Sequence, residues 1–379
     1  MSEREPLGIY VHVPFCRTRC RYCDFYRVGE NAERLRLFLA ALRREIAGLA
    51  PVWAGSEVET VFFGGGTPSL LAPAEIADVL SRLGAVFRLR SDAEVTAECN
   101  PSDLSPEKLS AYRAAGLSRL SLGAQSFCDR ELRLLGRRHD ARRAADCVEW
   151  ARAAGFENLS LDLMLAIPGQ TESSFRRSLE RAIELAPDHL SLYLLEVHSG
   201  SEIDLLRRQR PGLFPGEEAQ RRRYLLAAER LRLAGYEHYE VSNFCRPARA
   251  ARHNLKYWRC EPYLGLGPAA HSQVDGRRFR HPPDLAAYLR DPLAREEQDC
   301  DLASERVFLG LRLADGVALD ALAWASGAAA GELERRLAAV ERFVERAPGR
   351  VRLNAEGFVV SNAVLAELLA EPPAGAAAP

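Results

Sequence analysis

Between Gly8 and about Val241, six short runs rich in apolar and β-branched residues alternate with amphipathic stretches rich in arginine and glutamate. This repetition of strand then helix is the strongest restriction on what the chain can fold into. The runs are GIYVHV from Gly8, TVFF from Thr60, EVTAEC from Glu94, RLSLG from Arg119, LSLDLML from Leu159 and HLSLYLL from His189. Stretches such as Glu33 to Leu49 and Ser173 to Leu185 place apolar residues every three or four positions, which predicts helices covering a parallel sheet. Six such units form either a doubly wound sheet or an incomplete (β/α) barrel, and periodicity does not choose between them. In both, ligands gather at the C-terminal ends of the strands. The unusual residues fall on that edge. A cysteine loop follows the first run, GGGTPS follows the second, Glu98 ends the third, Gln125 follows the fourth and Asp162 lies in the fifth.

Composition narrows the partners. Lys+Arg 51 against Asp+Glu 52 leaves a net charge of -1, so nothing global selects nucleic acid or an anionic membrane. Lys108 and Lys256 are the only lysines, a bias that carries no mechanism. No apolar run approaches the ~18 residues of a membrane span and the N-terminus lacks a signal-like apolar core, so a cytoplasmic protein is expected. Membrane association is then left to a partner. After a Gly/Pro-containing stretch at 210–216, one more helix leads into an aromatic-rich loop, 252–272. From about Ala303 three helical segments precede a hairpin in RVRLNAEGFVV, with its turn at Asn354 to Gly357, and a short helix. This reads as a small helical or winged-helix-like domain whose mixed charges favour packing over nucleic-acid binding. The expected division is a barrel over 1–245, a connecting segment over 246–302, the small domain over 303–370 and a disordered tail over 371–379.

The stretch VHVPFCRTRCRYCDFY sets Cys16, Cys20 and Cys23 at C-x3-C-x2-C. The other six of the nine cysteines are scattered, and a chain without a secretory signal favours metal over disulfides. At this cysteine content the spacing arises by chance roughly 0.005 times per chain of this length. Three thiolates leave a tetrahedral zinc site one ligand short, unless His12 completes it. They suit a 4Fe-4S cluster whose fourth iron stays open.

The cysteine spacing followed by GGGTP resembles the radical S-adenosylmethionine (SAM) superfamily, in which the open iron chelates SAM. Gly64, Gly65 and Gly66 would allow a close backbone approach to a bound ligand. The closer resemblance, over nearly the whole chain, is to the subfamily of oxygen-independent coproporphyrinogen III dehydrogenase and the HemW group. It implies an incomplete (β/α)6 radical-SAM barrel with a small C-terminal domain. It also implies a SAM pocket lined by Tyr10, Tyr22, Gly66, Thr67, Glu98, Gln125, Arg137 and Asp162. Taken singly, Asp162 also reads as a strand-end cap, Arg137 as a surface cation and Glu98 as a helix N-terminal charge.

Two departures separate the branches of this subfamily. The dehydrogenase pattern has a fourth cysteine two residues after the third, where this chain has Phe25, and a longer segment ahead of its cluster loop than the fifteen residues before Cys16. Both favour the HemW group over porphyrinogen oxidation, which remains the alternative. In RHNLKYWRCEPYLGLGPAAHS, the residues His253, Asn254, Tyr257 and Trp258 resemble the haem-associated motif of that group. An imidazole is a standard haem ligand and flat aromatic rings stack on porphyrins. The other reading of these residues is a packed loop at the barrel mouth. His271 is expected either in the SAM pocket or as a second haem ligand. The resemblance implies a haem chaperone that holds a 4Fe-4S cluster, SAM and haem, and passes haem to acceptor proteins.

Overall fold

A computed structural model describes residues 5–328 and 330–369. The expected tail, 371–379, lies outside the described residues. By compactness the chain divides into two units built from discontinuous segments, residues 1–216 with 262–298, and residues 217–261 with 299–379. The consecutive segments expected from sequence are thus grouped differently.

The first unit is built on six long parallel strands. They are β1 (Leu7–Val13), β2 (Glu57–Gly65), β3 (Arg88–Cys99), β4 (Arg119–Gln125), β5 (Leu159–Leu165) and β6 (His189–Leu194). They pair in chain order, each parallel to the next. A doubly wound sheet reverses its order at a switch point and this sheet does not, so the topology is that of an incomplete (β/α)6 barrel. On the outer side of β1 runs Tyr263–Leu266, also parallel, followed by antiparallel strands His271–Val274, Arg277–Arg280 and Glu296–Gln298. The buried Glu45 carboxylate ties this returning strap to helix Ala32–Trp53. It accepts from Tyr288 Oη (2.6 Å) and Gly267 N–H (3.0 Å) and faces His281 Nε2 at 2.7 Å.

The covering helices begin where the side chains can cap them. Asn31 accepts from Arg34 N–H ahead of Ala32–Trp53, and Thr171 accepts from Ser174 N–H ahead of Glu172–Glu184. Their buried faces (Phe38, Leu42, Ile46; Phe175, Leu179, Ala182) pack on the outward residues of the strands. Those outward residues, such as Leu120, Leu122, Leu159, Leu161, Leu190 and Leu192, are buried and apolar.

The second unit contains helix Glu217–Leu233, the antiparallel pair Glu237–Glu240 and Asn243–Cys245, and helix Arg252–Trp258. Then come helices Leu302–Gly310, Leu319–Ser326 and Ala330–Ala339 and a three-stranded sheet, as a winged-helix-like arrangement requires. The hairpin differs from expectation. Its strands are Val344–Ala347 and Arg350–Leu353, and the turn is at Pro348 and Gly349, with Gly349 at φ 71°. Asn354 caps a helix, Ala355–Val359, by accepting from Gly357 N–H at 2.9 Å. The NAEG stretch reads as a turn, but the same asparagine is a strong helix cap.

Candidate functional site: a cysteine loop over a polar barrel mouth

The cysteine loop leaves β1 through a short strand, Phe15–Cys16, which pairs with Val28–Gly29. Backbone bonds Val28 N–H to Pro14 O (2.7 Å) and Glu30 N–H to Cys16 O (3.0 Å) close it into a compact lobe. All three cysteines are half-buried and unbridged. Each sulfur lies near a donor: Thr67 Oγ1 reaches Cys16 Sγ at 3.3 Å, Arg137 Nη1 reaches Cys20 Sγ at 3.5 Å and Arg27 Nη1 reaches Cys23 Sγ at 3.7 Å. Burial raises the Cys16 and Cys23 thiols above their ordinary range; the Thr67 hydroxyl opposes this at Cys16, and the Phe25 N–H with Arg27 at Cys23. Donors aimed at sulfur are what a set of ligating thiolates needs around it, so the residues fit a cluster held through three thiolates.

His12 does not complete a zinc site. Its Nδ1 is 3.1 Å from Tyr10 Oη and its Nε2 is 3.0 Å from Tyr26 O, so both ring nitrogens are taken by protein. The glycine run also has an internal reason. A Cβ on Gly66 would lie 2.7 Å from Val13 O and Phe15 O, and Gly65, at φ 102°, donates its N–H to Glu98 Oε2 at 3.2 Å. The close approach permitted there is to the end of β1, not to solvent.

Below the loop, the pocket residues implied by the resemblance converge. Glu98 is half-buried near the end of β3, and its strand neighbour Ser121 donates to Asp162 Oδ1 at 3.1 Å. Burial, with Asp162 nearby, pushes the Glu98 carboxyl up to about 8. Burial also pushes Asp162 up to about 6, against the Ser121 hydrogen bond and Arg119. Tyr10 stands on the same inward side of β1, stacked on Phe62, and its hydroxyl is held far above its usual range by burial and by Glu98. Gln125, the last residue of β4, has φ 64°, a backbone conformation that non-glycine residues rarely adopt. Its amide and the Arg137 guanidinium both crowd Gly123, whose carbonyl accepts from Arg137 Nη2 at 2.8 Å. Arg137 is therefore the inward arginine, while Arg138 Nη1 lies 3.9 Å from Asp103 Oδ1. Tyr22 packs on the apolar cluster Leu135, Met164 and Ile167. Glu98 and Asp162 are inward strand residues, so the helix-charge and strand-end-cap readings do not apply.

Sequence reasoning missed the layer beneath. Thr96, Arg119, Ser121, Ser160, His189 and Ser191 are all buried on β3 to β6, alternating with the apolar outward residues. Ser160 Oγ and His189 Nδ1 are 2.8 Å apart. The signal was available, because parallel strands covered on both faces normally read as continuous apolar runs, whereas LSLDLML and HLSLYLL alternate.

The motif at His253 belongs to the second unit. It forms a helix, not the expected loop. His253 is 0% exposed, and its Nε2 is 2.8 Å from Tyr257 Oη one turn on, with the rings edge to face. Trp258 is buried and Asn254 half-buried. His271, in the first unit, is exposed and bonds Gln298 Oε1 through Nδ1 at 3.0 Å.

Residues 10–182 match the model of the radical SAM superfamily and residues 298–361 that of the HemN C-terminal domain. A protein of Mycobacterium tuberculosis named heme chaperone HemW is 39% identical, over 96% of this chain and 95% of its own. One of the same name from Bacillus subtilis is 35% identical over 81% of this chain and 84% of its own. Among solved structures, the Escherichia coli coproporphyrinogen III oxidase HemN, described as a radical SAM enzyme, superposes with a TM-score of 0.82 at 24% identity, covering 97% of this chain and 90% of that one. At that identity the likeness shows the fold. With a cysteine loop over the mouth of a six-stranded barrel, and relatives that match over most of both chains, this chain belongs to the HemW family of the radical SAM superfamily.

Proposed function

We propose that the protein binds haem and passes it to acceptor proteins, on a scaffold that also holds a 4Fe-4S cluster and SAM. The observation that carries this reading is Phe25. It stands, 62% exposed, where the dehydrogenase pattern has its fourth cysteine, in a chain whose full-length relatives are named heme chaperones. Cys16, Cys20 and Cys23 would hold the cluster, and when bound the cluster and SAM supply one-electron chemistry. Thr67, Arg137 and Arg27 would stabilise the thiolate charge, and Glu98 and Asp162 offer carboxylate oxygens to the positive groups of SAM. Tyr10, Tyr22, Gly66 and Gln125 would complete the lining of that pocket.

For haem, His253 supplies the imidazole and Tyr257, Trp258 and Asn254 its surroundings. Because Nε2 is bonded to Tyr257, binding requires that hydroxyl to swing away. No helix among the described residues is long and apolar enough to cross a membrane, which suits a carrier meeting its acceptors from the cytoplasm.

The test has two arms. Haem is titrated into wild type and His253→Ala, followed by transfer to an apo-haemoprotein, and the variant is expected to bind at least about tenfold more weakly. In parallel the anaerobically reconstituted protein is given SAM and coproporphyrinogen III. Robust formation of protoporphyrinogen IX would sink the chaperone reading in favour of the dehydrogenase.

A further inference from the structure

Arg119 opens β4 and its side chain goes inward. Leu120 and Leu122 occupy the outer side of the strand, and Ser121, two positions on, turns its hydroxyl to Asp162. Arg119 is only 2% exposed, yet its guanidinium makes no hydrogen bond or ion pair within 4 Å with any described residue, and its Nε is fully buried without an acceptor. A guanidinium stays charged at any physiological pH, and a buried charge persists only where other charge compensates it.

The compensating charge is identifiable from the groups facing this space. From β1 comes Tyr10 and from the rim Tyr22, both hydroxyls held far above their usual range by burial. From β6 comes His189, which burial and Arg119 keep neutral. Glu94, buried on β3, has partners of its own. Arg137 is committed to Gly123 O and Cys20 Sγ. Thr96 is the register partner of Arg119 on β3, Glu98 lies two positions on along the same inward face, and Glu98 and Asp162 are the two carboxylates on which Arg119 acts. They lack direct contact with it, so the attraction acts across the polar interior, where screening is weak.

We propose that Arg119 is the fixed counter-charge of the Glu98 and Asp162 pair, a positioning residue that acts on a bound cation through those two carboxylates. The proposal rests on the SAM reading for the identity of the cation but not for the charge relation itself. Burial drives both carboxyls upward and Arg119 opposes that rise at each, which keeps them anionic closer to neutral pH. The sequence alone hides this role, because an arginine at the start of a strand reads as a solvated end.

The decisive experiment is an infrared titration of the protonated-carboxyl band in the cluster-reconstituted protein, with Glu98→Gln and Asp162→Asn assigning the contributions. In Arg119→Met, which keeps the length and removes the charge, the band should persist to a pH about one unit higher than in wild type. Arg119→Lys should titrate near wild type. Arg119→Gln carries the same measurement if Arg119→Met does not fold. SAM binding, measured by calorimetry from about pH 6 to 9, should be about tenfold weaker in Arg119→Met at pH 7 and recover towards wild type at pH 9. An unchanged infrared titration overturns the proposal, and so does an affinity loss of equal size at every pH. If wild type binds no SAM while the infrared titration still shifts, the counter-charge stands and the SAM reading falls.

Discussion

The cysteine loop and the His253 helix were both found through short motifs, but the structure presents them in opposite states. The loop holds three half-buried sulfurs, each with a donor directed at it, so it is organised for ligation. The His253 imidazole is completely buried, and its Nε2 is engaged by Tyr257 in the same helix. A preorganised site loses little on binding, whereas a site that must first break an internal hydrogen bond binds more weakly by the cost of that opening. On the proposed haem reading the second property suits a carrier, since a ligand held against a competing internal bond is also released more easily.

The largest effect expected on this contrast is at the loop. Protein purified anaerobically should be brown, with about four irons per chain, and Cys20→Ser should lose most of them in an iron assay. Stoichiometric zinc in place of iron would break the comparison outright. Next, Tyr257→Phe removes one bond to Nε2, worth about 1 kcal/mol, so haem affinity in a Soret titration should rise about fivefold. A fall would show that the Tyr257 hydroxyl contacts the ligand and that the buried state is not a competitor.

The barrel mouth adds a pH dependence. The Glu98 pKa is raised from 4.5 to about 8 in the folded protein, so its contribution to stability is fully present below pH 4.5 and is lost as pH rises through 8. The ligand-free protein should therefore melt at lower temperature at pH 9 than at pH 6, and Glu98→Gln should flatten that slope while weakening SAM binding. The smallest effect is at Thr67. Thr67→Val removes the donor to Cys16 Sγ, should leave the iron content intact, and should lower the cluster potential by on the order of tens of millivolts in a redox titration.

Several candidate residues stood out in the sequence because their chemistry is tied to spacing. C-x3-C-x2-C near the N-terminus, glycines after the second strand, Glu98 and Gln125 near strand ends and Asp162 within the fifth strand read as one edge of the sheet, and Glu98, Gln125 and Asp162 lie on β3, β4 and β5 in those places. Arg137 was legible only by resemblance, since Arg138 beside it has the same chemistry and only packing sends one to Cys20 and the other to Asp103. The hairpin turn and the His253 segment were misread for a local reason. Asn354 serves a turn or a helix cap equally well, and seven residues rich in aromatics carry too little periodicity to declare the helix Arg252–Trp258.

What the chain alone determined is therefore the class of fold, and it singled out three cysteines as candidate ligands, since alternation of strand and helix and the spacing of three cysteines are local properties written in consecutive residues. The order of the strands was decided only in three dimensions, and with it the choice of barrel over doubly wound sheet. So was the polar interior that Arg119 shares with Glu98 and Asp162. Those relations join residues twenty to sixty positions apart, and which of them face each other depends on register and burial, which no single segment encodes.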